Sequence, residues 1–119
     1  MTEKIAKMIG IMMMSRTYSH MAHLKKDSYA KHMALGGFYD ALVDQVDCFA
    51  EVAQGLKGKF DIPYVDLKGD VSDPTKSLQS HLVMLENLGK SCEHRALNNV
   101  FDDIVTLYIS TLYKLKELD

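Results

Sequence analysis

The amino-acid sequence predicts an all-α fold: a four-helix bundle with one long crossover between helices two and three. Three observations carry this. Apolar residues recur at steps of three and four in four separate stretches, the spacing of a buried helical face. The chain has 2 prolines in 119 residues, and neither falls inside a periodic stretch. Between Gly55 and Gly69 a run with Gly58 and Pro63 divides the four stretches into two pairs.

Helix one is expected over Thr2 to Leu24, with Ile5, Met8, Ile9, Met12 and Met13 as its apolar stripe. Thr2 and Glu3 suit its start. The methionines read as core, because flexible thioethers fill gaps well. Lys25 to Ser28 is a polar break in which Asp27 or Ser28 can cap the next helix. Helix two is expected from Tyr29 to about Leu56, with Leu35, Phe38, Leu42, Val46, Phe49 and Ala53 on its buried face. It contains Gly36 and Gly37, each costing about 1 kcal/mol relative to alanine in a helix. A pair of glycines there asks for a reason.

Lys57 to Ser72 reads as a connection too long for a turn between neighbouring helices. Its length suits a crossover along the bundle, with Phe60, Ile62, Tyr64, Val65 and Leu67 packed against it. Asp73 and Pro74 form a cap and first helical position for helix three. Leu78, Leu82, Leu85 and Leu88 are its stripe, and it should end at Gly89 or within Ser91 to Arg95. Asn98 or Asn99 is expected to cap helix four, whose stripe is Phe101, Ile104, Val105, Tyr108, Leu112 and Leu115. Two helices, a long crossover and two more helices is the ferritin-like connectivity. Residues 1–119 make a single domain of this kind.

Composition narrows the function. A hydrophobic content of 47% excludes a disordered chain. A formal charge of −2 gives no basic surface, and Met1-Thr2-Glu3-Lys4 is not a basic arm, so DNA binding gets no support. Cys48 and Cys92 form neither a disulfide framework nor a zinc-spaced pair, which fits a reducing compartment. The apolar run from Ile9 to Met14 is broken by Gly10 and is too short for a bilayer. With Glu3 in the first turn and no small-residue cleavage site after it, a signal peptide is not expected. The expected location is cytoplasmic, away from membranes.

The residues that could carry chemistry lie on the first two helices. His20 precedes the polar break by about the distance at which His32 follows it, so a hairpin sets the two imidazoles near one level. His23 shares a helix face with His20. On helix two, Asp47 and Glu51 are one turn apart and share a face with His32. His32 and Asp47 are separated by roughly 22 Å along the helix, too far to bind one ion within a chain. Two copies of helix two, antiparallel across a two-fold axis, would bring His32 of one chain to Asp47 and Glu51 of the other, making two equal sites. Imidazole and carboxylate with open positions suit iron, manganese or zinc. On the residues alone the bland readings stand beside this one: carboxylates on one face are commonly the solvated face, and histidines near a turn are commonly structural or exposed.

At these positions the sequence resembles the Dps family of mini-ferritins. That family is marked by a histidine late in helix one, a second histidine twelve residues later, and carboxylates fifteen and nineteen residues after that. His20, His32, Asp47 and Glu51 stand in this register. The stretch from His32 to Glu51 also follows the family's pattern of aliphatic, aromatic and acidic positions without gaps. The chain also resembles short phage-encoded proteins of ferritin-like type. The Dps resemblance implies a homo-oligomer, at least a two-fold dimer and up to a dodecamer that stores the ferric product. It implies ferrous iron oxidised by peroxide or oxygen at a site between subunits, held by His20 and His32 of one chain and by Asp47 and Glu51 of the other, with Glu51 the main ligand.

The sequence departs from that family in three places. The family's third carboxylate, four residues after the second histidine, is Gly36 here, which implies weaker binding or a different metal. Asp40, one turn on, would replace it only in a distorted helix. The aromatic residue after the first histidine is Met21, and there is no lysine-rich tail for DNA. His23 has no counterpart; it would either add a ligand and partly offset Gly36 or be a surface histidine. His81, His94 and Cys92 are expected to be structural or exposed. Two functions follow. One is an iron-binding mini-ferritin relative with ferroxidase activity. The other is a ferritin-like oligomer without catalysis, serving as a binding or structural protein such as a phage encodes. Carboxylate-bridged oxygenases use Glu-x-x-His on two helices, and the chain has no such motif.

Overall fold

A computed structural model of the chain describes residues 2–90 and 92–118. Among them are four helices and no strand: α1 (Thr2–Lys25), α2 (Tyr29–Lys57), α3 (Pro74–Gly89) and α4 (Arg95–Glu117). Local chemistry sets the helix starts. Ser28 caps α2, its hydroxyl accepting the Lys31 N–H at 3.3 Å. The Asp73 carboxylate accepts the Lys76 N–H at 3.2 Å, and Pro74 follows as the first residue of α3. These caps satisfy N–H groups that have no partner inside the helix.

The fourth helix departs from expectation. It begins at Arg95, not after Asn98 or Asn99, and His94 is its cap, with Nδ1 accepting the Ala96 N–H at 3.2 Å. An earlier start brings Leu97 into the core, where it is buried. Asn98 instead donates from its side chain to the Cys92 carbonyl at 3.1 Å. α3 ends at Gly89, the first of its two expected ends; of the alternative region, Ser91 to Arg95, Ser91 lies outside the described residues and Arg95 already belongs to α4.

α1 packs on α2 and α3, and α4 packs on the same two, so α1 and α4 sit diagonally across the bundle. Ile9, Met12, Leu35, Phe38, Leu85 and Tyr108 are buried in one core cluster, with Phe38 edge-on to Tyr108 at 4.8 Å between ring centres. Each large apolar side chain buried in this way contributes about 1.5–3 kcal/mol. Met13 is not part of the core as the spacing suggested. It lies one helical step past buried Met12 and is 39% exposed.

The connection over 58–73 contains neither helix nor strand, closes in a turn at Val71 and Ser72, and holds to the side of α1. The chain leaves α2 through Gly58, whose φ of 83° suits glycine. The Pro63 carbonyl comes up against Gly10, the Tyr18 hydroxyl donates to the Asp70 carbonyl, and Lys26 Nζ donates to the Ser72 carbonyl at 2.9 Å. Phe60, Ile62, Val65 and Leu67 pack against the core, whereas Tyr64, expected with them, is almost fully exposed. Among the described residues no helix is long and apolar enough to cross a membrane.

Candidate metal centre on the face of the first two helices

The hairpin of α1 and α2 gathers three histidines. His23 and His32 stack with ring centres 3.7 Å apart and planes inclined by 22°. Their hydrogen bonds are reciprocal: Nδ1 of His23 meets the His32 carbonyl at 2.6 Å, and Nδ1 of His32 meets the His23 carbonyl at 2.8 Å. A carbonyl oxygen only accepts, so both Nδ1 atoms carry the proton. In the neutral rings each Nε2 then keeps a lone pair. The His23 carbonyl lies in the last turn of α1, where carbonyls lack partners within the helix, so His32 also closes that end.

His20 sits beside this pair, 6.4 Å from His23 between ring centres. It lies flat against Tyr39 at 4.3 Å, and Tyr39 presents its edge or face to His23 at 5.4 Å. Arg16 covers the same Tyr39 ring at 5.8 Å, a cation–π distance. Beyond it lies a groove of ≈ 350 Å³ between α1 and α2, lined by Met13, Arg16, Thr17, Val43, Val46 and Asp47. The stripe His32, Gly36, Tyr39, Val43, Asp47 runs down α2 at helical steps and ties the histidine end of the face to the acidic end.

The expected ligands thus fall into two groups. His20, His23 and His32 are together and half-buried. Asp47 and Glu51 are exposed further along α2. Among the described residues no three His, Cys, Asp or Glu side chains of one chain converge to hold a metal ion. α2 is one continuous helix through Gly36 and Gly37, so Asp40 is not drawn toward the histidines. His81 is buried on the other side of α1, where it shares a 2.6 Å hydrogen bond with Ser15. His94 is exposed, and Cys48 and Cys92 are free thiols.

Sequence reasoning had passed over Tyr39 and Arg16. Helical spacing could have found both: Tyr39 lies two turns after His32, and Arg16 one turn before His20.

Comparison with known proteins adds a family. Residues 23–115 match a family described as "Family of unknown function (DUF5856)". The chain belongs to it. The DUF5856 match begins at His23, so it takes in His23, His32, Gly36, Asp47 and Glu51 and leaves His20 outside. The chain is also 27% identical over 113 residues to an "Uncharacterized 14.6 kDa protein in mobD-ri intergenic region" of Enterobacteria phage T4, covering 94% of this chain and 88% of that protein. No solved structure gives a significant match.

Proposed function

We propose that the chain is a ferritin-like bundle of Dps type that pairs with a second copy across the α1–α2 face. In this reading ferrous iron is the substrate, bound and oxidised at a site shared by the two chains. The segment 58–73 is the long crossover of such a bundle: it follows α1 from Gly10 to Lys26 and returns the chain to the hairpin end before α3 starts.

One observation carries the reading. The three histidines stand at one end of the α1–α2 face, and Asp47 stands down the same stripe of α2. An antiparallel copy of α2 brings these ends together, and two-fold symmetry completes two sites at once. His20 and His32 of one chain then hold the ion with Asp47 and Glu51 of the other. The donor set fits: imidazoles suit iron and zinc, carboxylates suit iron and manganese, and oxygen donors favour the ferric product. Iron storage or oxidative protection follows from the same site, in a dimer or a dodecamer. The test is a native mass spectrum with and without ferrous iron, on the parent and on His20→Ala and Glu51→Ala. Support is an even-numbered assembly whose iron uptake and oxidation fall in both variants while the assembly mass is kept. A monomer, or variants that oxidise iron like the parent, would overturn the proposal.

A second reading has its own support. Gly36 stands at the position of an expected carboxylate, and the Arg16 cation is fixed beside the histidines through Tyr39. Both disfavour a cationic substrate. A non-catalytic ferritin-like oligomer, serving as a binding or structural protein such as a phage encodes, fits these features, and unchanged oxidation in both variants would favour it.

A further inference from the structure

We infer that the outer face of the α1–α2 hairpin is a docking groove for a basic amphipathic helix of another protein. The inference rests on the binding-protein reading above and names its partner by chemistry. A second copy seated on the same face belongs to the iron reading.

Two exposed stripes run side by side on this face. On α1, Met13, Thr17, Met21 and Leu24 follow at steps of four, four and three, and all are exposed. Met21 is 51% and Leu24 72% exposed, so the stripe leaves large apolar side chains in water. Between Met8 and Leu24 the only Asp, Glu, Lys or Arg is Arg16. On α2, Asp40, Asp44, Asp47 and Glu51 follow at steps of four, three and four and are also exposed. No lysine or arginine stands between Lys31 and Lys57. Among the described residues none of the four carboxylates has a hydrogen bond or an ion pair. Arg16, held over Tyr39 at 5.8 Å, offsets one of the four charges and leaves the rest in excess.

The groove of ≈ 350 Å³ lies between these stripes, with Met13 and Thr17 from α1 and Val43, Val46 and Asp47 from α2. Tyr39 stacks on His20, and Asp47 shares the groove with Met13, so Asp40 to Asp47 run alongside Met13 to His20. That overlap is about 10 Å, or two helical turns. An acidic stripe alone is an ordinary solvated face. Here it borders an exposed apolar stripe, and the pair is the complement of a helix with one apolar and one basic face. Methionines suit such a surface, because flexible thioethers repack around different apolar anchors. No helix of this chain carries three Lys or Arg at successive steps of three or four, so a second copy does not supply that partner.

The experiment uses the full chain with a chelator present, so that metal plays no part. The probes are two amidated peptides of about 18 residues, built of leucine and lysine with one tryptophan. In one the leucines recur at helical steps; the other has the same composition scrambled. The chain has no tryptophan, so peptide fluorescence reports binding directly. Sedimentation gives the assembly. The patterned peptide should bind at least about tenfold more tightly than the scrambled one. Asp44→Asn with Asp47→Asn should weaken it by about five- to tenfold and flatten its salt dependence. Met13→Gln should weaken it as well. Asp61→Asn with Asp66→Asn, exposed on the connection, should leave it unchanged. Equal binding of the two peptides, or equal losses in the two aspartate pairs, means plain charge attraction and overturns the inference. A metal-free dimer that the patterned peptide does not dissociate also overturns it and gives the face to a second copy. Iron oxidation is measured separately on the same preparation. Patterned binding with oxidation retained keeps the groove and overturns only the non-catalytic reading. Neither binding nor oxidation overturns the groove and leaves that reading standing.

Discussion

The imidazole of His23 lies over the bare backbone of Gly36, where an added Cβ would come within 2.9 Å of the ring. Its neighbour Gly37 is exposed and would meet nothing within 4 Å. The two adjacent glycines are therefore not equivalent, although both carry the same intrinsic penalty in a helix. Gly37→Ala should stabilise the protein by about 0.5–1 kcal/mol, the ordinary helix gain. Gly36→Ala should lose that gain or reverse it. The ring must move, and two hydrogen bonds worth about 0.5–1.5 kcal/mol each are at stake. Urea denaturation of both variants checks the ordering; equal stabilisation would mean that His23 is not held over Gly36.

Gly10 answers a different demand. A Cβ there would lie 2.6 Å from the Pro63 carbonyl oxygen and 2.9 Å from Cγ2 of Val65. One of these atoms is backbone and cannot swing aside, so the connection must lift off α1. Gly10→Ala is expected to destabilise by about 1–3 kcal/mol despite the better helix propensity of alanine. Amide hydrogen exchange should show faster exchange over 60–67, and an unchanged profile would mean that the connection is not seated on α1.

Much of the bundle was legible in the sequence because it rests on local rules. Steps of three and four on α2 named six residues, Leu35 to Ala53, all of them buried. Ser28 and Asp73–Pro74 marked starts through capping chemistry. The misreadings came where tertiary contacts decide. Asn98 is a better cap than His94 in isolation, but Leu97 needs to be inside the helix to reach the core. Met13 passed as core because a methionine run hides which face is buried. The site was half legible. Spacing named the histidines and carboxylates, but the reciprocal bonds of His23 and His32 depend on ring orientation across the hairpin, which spacing does not encode.

The start of α3 is set by Asp73 at the end of the connection, so its cap should be worth measuring against a substitution that keeps the geometry. Asp73→Ala removes the acceptor for the Lys76 N–H and is expected to cost about 0.5–2 kcal/mol, whereas Asp73→Asn should cost little. Thermal denaturation compares the two. Equal losses would mean that the carboxylate charge, not its acceptor, supports the helix.

His81 makes stability depend on pH. It is 2% exposed, pairs through Nδ1 with the Ser15 hydroxyl, and has the edge of Tyr18 against its ring. Burial disfavours the charged form and lowers its pKa from 6.5 to about 4. The unfolded chain therefore takes up a proton near the ordinary value, and the folded chain only near the lowered one. Between them the unfolded state binds more protons, so acid favours unfolding. This contribution is fully present above pH 6.5 and is lost as the pH falls toward about 4. Within the window the slope from this group approaches about 1.4 kcal/mol per pH unit. Replacing His81 with leucine removes the titrating group, so the variant's unfolding free energy should vary less with pH over this range and match the parent's slope above it. Denaturant titrations across the window measure both. Parallel curves for parent and variant would show that the His81 ring is not held neutral in the core.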